Sequence, residues 1–379
     1  MKQPVCDAIT SFIVMDVLEK AQKLEKAGKH IIHLEIGQPD FTTPECIMDA
    51  AAKAMRDGQT GYTHSMGILP LREALAAYYE REYGVTVSPE RIIVTNGTSA
   101  AMLLLFAVLF DHGGSAVMAD PTYACYANFV LHAGGNVISV PTLEEDGFQL
   151  NVEDVRAKLA PDTKAILVNS PSNPGGTIIA PDEFRALCGM GPMIVSDEIY
   201  HGLVYEGRAA SVLEFSDDAC ALDGFSKRYA MTGWRLGWMV IPENLVHTVQ
   251  KLQQNFMICA NSMAQWGGIA ALEQAGPDVE RMRLEYDRRR KVLLAGLRSL
   301  GLTVKSDPVG AFYVLANARH LSNDSLALAF DILEKAGVGV APGIDFGPGA
   351  EGYLRFSYAN SVENIEEAMH RLGKYLANR

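Results

Sequence analysis

A chain of 379 residues with a formal net charge of −12 is too long for one small core, and too acidic to favour nonspecific binding along a phosphate backbone. Its 48% hydrophobic and 21% charged residues are those of a folded globular protein and exclude general disorder. The six cysteines, at positions 6, 46, 125, 188, 220 and 259, never approach CxxC spacing, and no HExxH occurs, so no zinc or thioredoxin-like motif is present and no metal is expected.

So few cysteines in so long a chain fit a reducing compartment better than a disulfide scaffold. The N-terminal MKQPVCDAITSFIVMDVLEK has no continuous apolar signal core. A cytoplasmic protein is expected. Residues 14–27 show helical periodicity ending at Gly28, and HIIHLEIG, 30–37, reads as a short strand. PLREALAAYYEREYG is a helix closed by Gly84. An alternation follows. RIIVT leads through NGTS into the apolar run AAMLLLFAVLF, 100–110, which is too short to cross a bilayer and reads as a buried helix. SAVMA, NVISV, KAILVNSP, PMIVSDEIY and CALDGFSK are further strands, with helices around YANFVLHAGG and 181–188. This is the signature of an α/β fold with a mostly parallel sheet, whose ligands gather at the carboxyl ends of the strands. Beyond about residue 275 the pattern changes to a long charged helix, then short strands such as AFYVLA and GYLRFSYA. A smaller α+β domain is expected there, with the N-terminal segment packed against it.

Several chemically unusual residues fall just after predicted strands. Gly97, Thr98 and Ser99 open a helix, where free N–H groups and hydroxyls suit a phosphate; simple helix capping explains them equally. No Walker lysine and no GxGxxG is present. Tyr123, in DPTYACY, is placed to stack on a flat ring or merely to pack. Asn173, in NSPSNPGG, is an amide donor or a turn former. Asp197 ends an apolar strand and needs a partner, either a protonated ring nitrogen or a structural arginine. Lys227 becomes a nucleophile where burial or neighbouring positive charge lowers its pKa, and Arg235 offers a fork for a phosphate; an exposed basic turn explains either residue alone. Arg355 lies in an apolar and aromatic strand and calls for a carboxylate, structural or from a substrate. Together these supply a phosphate cradle, a stacking ring, a ring-nitrogen carboxylate, an aldehyde-reactive lysine and a carboxylate clamp. That inventory matches pyridoxal 5'-phosphate (PLP) held as a Schiff base.

From LEIGQPDFTTP through GYTHSMGILPLREAL, NGTSAAM, NSPSNPGG, SDEIY and SKRYAMTGWRLGW to YLRFSYA, the chain resembles a class I/II aminotransferase of PLP fold type I. The resemblance implies a large domain at 41–275 with a mostly parallel seven-stranded sheet, a small α+β domain at 276–379, and residues 1–40 packing with the latter. It implies Lys227 as the Schiff-base lysine and general base, and Asp197 on the pyridine nitrogen. It places Tyr200 and Asn173 on the ring hydroxyl oxygen and Tyr123 against the ring. The phosphate falls to Arg235, Gly97, Thr98 and Ser99, and the substrate α-carboxylate to Arg355, Asn173 and Gly37. Tyr62 resembles a tyrosine that reaches the phosphate of the neighbouring subunit, which implies a homodimer with shared sites. One position departs from the pattern. Some relatives carry a phosphate-binding hydroxyl where this chain has Gly224, so more of the phosphate falls to Arg235 and the helix N-terminus. The implied activity is transfer of an amino group from an L-amino acid to 2-oxoglutarate or pyruvate. A PLP-dependent lyase or synthase, such as a C–S β-lyase, is the alternative on the same fold. No partner nucleic acid or membrane is expected.

Overall fold

The computed structural model describes Asp7 and residues 9–379. Cys6 and the first six residues of the N-terminal stretch lie outside the described residues. Helix α1 (Ile13–Lys26) and strand β1 (Ile32–His33) come first, then α2 (Glu45–Arg56) and α3 (Leu69–Tyr83). Gly84 ends α3 in the left-handed region, φ 68°, where a side chain would be strained. The central sheet then forms from β2 (Ile92–Thr95), β3 (Ser115–Asp120), β4 (Asn136–Pro141), β5 (Thr163–Asn169), β6 (Met193–Asp197), β7 (Cys220–Gly224) and β8 (Gly237–Val240). Helices α4 (Thr98–Leu109), α5 (Cys125–His132), α6 (Val152–Lys158) and α7 (Pro181–Cys188) are the crossovers.

The sheet order is β2-β8-β7-β6-β5-β3-β4, with every pair parallel except those made by β8. Strands β2, β8 and β7, at one end of the sheet, are buried along their whole length, so both faces of that end are covered and their residues do not alternate in exposure. The chain continues through α8 (Glu243–Phe256), α9 (Ser262–Gln274) and α10 (Gly276–Ser299). A smaller sheet follows, built from β9 (Tyr313–Asn317), β11 (Ala341–Pro342) and β12 (Tyr353–Ser357) in the antiparallel order β11-β12-β9. Around it lie α11 (Ser325–Ala336), β10 (Val338–Gly339) and α12 (Val362–Ala377). β1 pairs with β10 in parallel, and α1 buries Val17 and Ala21 against Leu333 of α11.

Three local readings change. HIIHLEIG is strand only at Ile32–His33, because β10, its ladder partner, is itself two residues long. CALDGFSK is strand only as far as Gly224. β8 was not anticipated: its first two residues, Gly237 and Trp238, end the basic motif, where chemistry and a turn masked the start of a buried strand.

Candidate active site

The carboxyl ends of β5, β6 and β7 open into a cavity of about 310 Å³. Of the residues singled out from the sequence, Gly37, Thr98, Ser99, Tyr123, Asn173, Asp197, Tyr200, Lys227, Arg235 and Arg355 all line it. Gly97 lies directly behind, with φ 87°, and a Cβ there would come within 2.6 Å of the Arg235 guanidinium. Tyr62 is not among the lining residues. It is 82% exposed, beside Asn96, Cys259 and Met263 on a separate surface hollow.

Lys227 and Arg235 stand on one excursion of chain between β7 and β8. A turn at Thr232–Trp234 places Arg235 at φ 51°, with its Nη1 donating to the Thr232 carbonyl at 2.9 Å. The Lys227 amine donates to the Gly37 carbonyl at 2.5 Å. Its pKa is brought down to about 8, chiefly by desolvation and then by the charges of Arg355 and Arg235, with Asp197 acting the other way. Gly37 must be glycine, since a Cβ would lie 2.2 Å from the Tyr313 hydroxyl.

Asp197 is buried at the end of β6. Its Oδ2 accepts from the Tyr126 hydroxyl at 2.6 Å, and its Oδ1 from the Ile199 amide at 3.2 Å. Burial pushes its pKa up to about 6 against these two donors. Asn169 fixes the neighbouring backbone: its Nδ2 donates to the Asp197 carbonyl, and its Oδ1 accepts from the Asn173 amide at 2.7 Å. Arg355, also buried, donates from Nη1 to Asn173 Oδ1 at 3.0 Å and from Nη2 to the Glu35 carbonyl. Its guanidinium carbon lies 4.3 Å from the Tyr313 ring centre and 4.8 Å from that of Phe346. Tyr200 and Tyr313 share a hydroxyl–hydroxyl bond of 3.0 Å.

Tyr126, Asn169 and Tyr313 were missed by the sequence reading. Tyr126 stands in the same short DPTYACY stretch as Tyr123, and the two rings pack edge to face with centres 5.2 Å apart. The apolar wall of Phe12, Val14, Met15, Leu18 and Ile36 was also missed. Arg228, next to Lys227 in the basic motif, is caged. Its guanidinium carbon lies 5.2 Å from the Tyr78 ring centre and 5.5 Å from that of Tyr229, and its stem fills the space beside Gly202.

At Gly224 an added Cβ would meet Ile199 and the Leu236 carbonyl at 3.2 Å, so a side chain supplying the missing hydroxyl would be tightly packed there. The residues present nonetheless fit PLP. They include a buried carboxylate short of a counter-charge, an amine of lowered pKa in the same cavity, and a glycine cradle against Arg235. The N-terminus of α4 carries no side-chain cap.

A family model, aminotransferase class I and II, matches residues 29–372. A (5-formylfuran-3-yl)methyl phosphate transaminase from Methanocaldococcus jannaschii is 39% identical over 97% of both chains. A valine–pyruvate aminotransferase from Mycobacterium tuberculosis is 37% identical over 98% of this chain and 97% of its own. The solved structure of an aspartate aminotransferase from Thermus thermophilus with maleate superposes with a TM-score of 0.94 at 38% identity, covering 99% of each chain. The chain therefore belongs to the class I and II aminotransferases, PLP-dependent enzymes of fold type I.

Proposed function

We propose that this aminotransferase moves the amino group of an L-amino acid with an apolar side chain to 2-oxoglutarate or pyruvate. The observation that carries the reading is the facing of two cations across one cavity: a Lys227 amine with a pKa of about 8, and a buried Arg355. Bound PLP supplies a carbonyl carbon for amine exchange and a ring that accepts electrons. Asp197 holds a proton on the ring nitrogen by pairing with it. Asn173 and Tyr200 serve the ring oxygen and Tyr123 its face. Arg235, Gly97, Thr98 and Ser99 hold the phosphate. Arg355, with Asn173 and Gly37, clamps the α-carboxylate. The Lys227 Nζ, whose pKa burial and the charges of Arg355 and Arg235 bring down, takes the proton from the substrate α-carbon and delivers it again on the far side of the transfer.

The relatives bear names with different donors, so the donor class rests on the wall. Phe12, Val14, Met15, Leu18 and Ile36 offer a substrate side chain carbon and sulfur surface. The two-subunit site belongs to the same reading. Tyr62 is exposed and outside its own cavity, which suits a residue that completes the site of a second copy. A cytoplasmic location stays with the proposal on the cysteine usage. The test is a half-reaction screen, in which single amino acids are added to the PLP-loaded enzyme and the cofactor absorbance followed. Apolar donors are expected to discharge it fastest, and Lys227→Ala to abolish turnover. Release of ammonia without a 2-oxo acid acceptor, or wild-type turnover by Lys227→Ala, would overturn the reading.

A further inference from the structure

The segment after β1 carries two backbone carbonyls on which the site depends. The Glu35 carbonyl accepts from Arg355, and the Gly37 carbonyl accepts from Lys227. The supports of the two cations that face a substrate thus stand two positions apart on one extended segment, with only Ile36 between them. The side chains of the same segment form a chain of charges leading away from the cavity. His33 Nδ1 lies 2.6 Å from Glu35 Oε1, and His33 Nε2 lies 3.2 Å from Glu25 Oε1 on α1. Glu25 and Glu35 are the charged groups that face the ring, and they raise its pKa to about 9 against the effect of burial. At neutral pH both ring nitrogens therefore donate.

Glu35 itself is fully buried. A carboxylate so placed is costly unless matched, and an apolar residue would fill a core at least as well. The backbone is also shaped to admit it. A Cβ on Gly339 of β10 would lie 2.1 Å from Glu35 Oε2, so the carboxylate in its present place occupies the space a side chain there would take. The tie reaches α1, whose opposite end supplies Val14, Met15 and Leu18 to the cavity.

We propose that the His33–Glu35 pair is a positioning pair for the substrate carboxylate: by pinning residues 33–37 between α1 and β10, it sets where Arg355 stands relative to Lys227. The inference rests on the reading of Arg355 as the carboxylate clamp. Neither His33 nor Glu35 touches the substrate; both act through the 35–37 backbone. The probe is 3-phenylpropionate, which has one carboxylate, an apolar tail and no amine to react, titrated into the PLP-loaded enzyme by calorimetry. Glu35→Gln keeps the size and removes the charge. It is expected to raise the Kd of the probe roughly tenfold, the scale on which a small misplacement of a binding group is felt. It is also expected to lower the His33 titration, followed by NMR, from about 9 towards 6.5. PLP affinity should be unchanged. A His33 titration that moves while the probe Kd stays within twofold overturns the inference and leaves the pair a structural one. Should Glu35→Gln fail to fold, the double variant His33→Gln/Glu35→Gln leaves no buried charge unmatched and is read by probe Kd alone: a rise of roughly tenfold supports the inference, and a value within about twofold of wild type overturns it. Arg355→Lys separates the two levels. If it leaves probe binding intact, or wild type binds no probe, the clamp reading itself falls and this inference with it. If it weakens binding while Glu35→Gln does not, only this inference falls.

Discussion

At Lys227, desolvation and two guanidinium groups act in one direction, and the folded protein holds the proton more weakly than the unfolded chain. The cofactor-free protein thus bears an unfavourable contribution that is full below about pH 8 and gone above pH 10.5. Lys227→Met is expected to stabilise the cofactor-free protein at pH 7 by at most about 3 kcal/mol, with the gain vanishing by pH 10.5; urea unfolding at both pH values measures it. Asp197 depends on Tyr126 in the opposite sense, since that hydroxyl holds its pKa down. Tyr126→Phe is expected to leave Asp197 more protonated and to weaken PLP binding several-fold, by about 1 kcal/mol, the usual net worth of such a bond. Fluorescence titration with PLP reads the loss, and unchanged affinity would contradict the role given to the tyrosine. At this scale the sequence was informative where charge had to be explained. Lys227, Arg235, Asp197 and Arg355 are conspicuous because each is expensive to place near a strand end. Asn169 and Tyr313 are ordinary strand residues, and only the fold aims them inward.

Among the elements, α1 shows what a pattern leaves out. Its periodicity was legible, and so was the core-facing stripe of Val17 and Ala21. Its role as a cavity wall was not, because that depends on where the helix is docked. Docking is done by Asp345, 332 residues away from the Ile13 amide, which donates to Oδ1 at 2.9 Å, while the Val14 amide donates to Oδ2 at 3.1 Å. The carboxylate thus satisfies two of the free amides at the helix start. The adjacent Phe346 stacks on Arg355, so wall and clamp are joined by neighbouring residues. Asp345→Ala is expected to cost about 1–2 kcal/mol in thermal unfolding, the range for a lost helix cap. It should also raise the KM for apolar donors more than it lowers kcat, because the wall moves while Lys227 stays. A fall in kcat with KM unchanged would show that α1 does not bind the substrate side chain. β8 shows the converse: its four residues are buried strand, but the first two close a motif that invited a chemical reading, and the strand went unread.

For the molecule as a whole, the alternation of strands and helices made the α/β class and the parallel sheet readable, since each crossover must return the chain to the same edge. What could not be read were the joints between sheets, such as the Arg355–Glu35 bond across 320 residues. One such joint sets a pH limit. His33, raised to about 9 by Glu35 and Glu25, stabilises the fold in full below pH 6.5, and this contribution is lost as pH rises through 9. It is worth at most about 3 kcal/mol. Between pH 8 and 10 the wild type is expected to lose unfolding temperature relative to His33→Gln, because the relief at Lys227 over that interval is common to both proteins. Parallel slopes for the two proteins would exclude His33 as the source.

The short excursion between β7 and β8 has a consequence for assembly in time. Lys227 and Arg235 are eight residues apart on a connection between adjacent antiparallel strands, whereas Arg355 and α1 reach the cavity only through contacts more than 300 residues long. Local closures form faster than distant ones. Lys227 and Arg235, and the sheet residues that join them in holding the cofactor, are therefore expected to assemble before the surfaces that choose the substrate. On refolding in the presence of PLP, cofactor uptake should precede the recovery of binding for an unreactive carboxylate, so that the enzyme acquires its reagent first and its selectivity second.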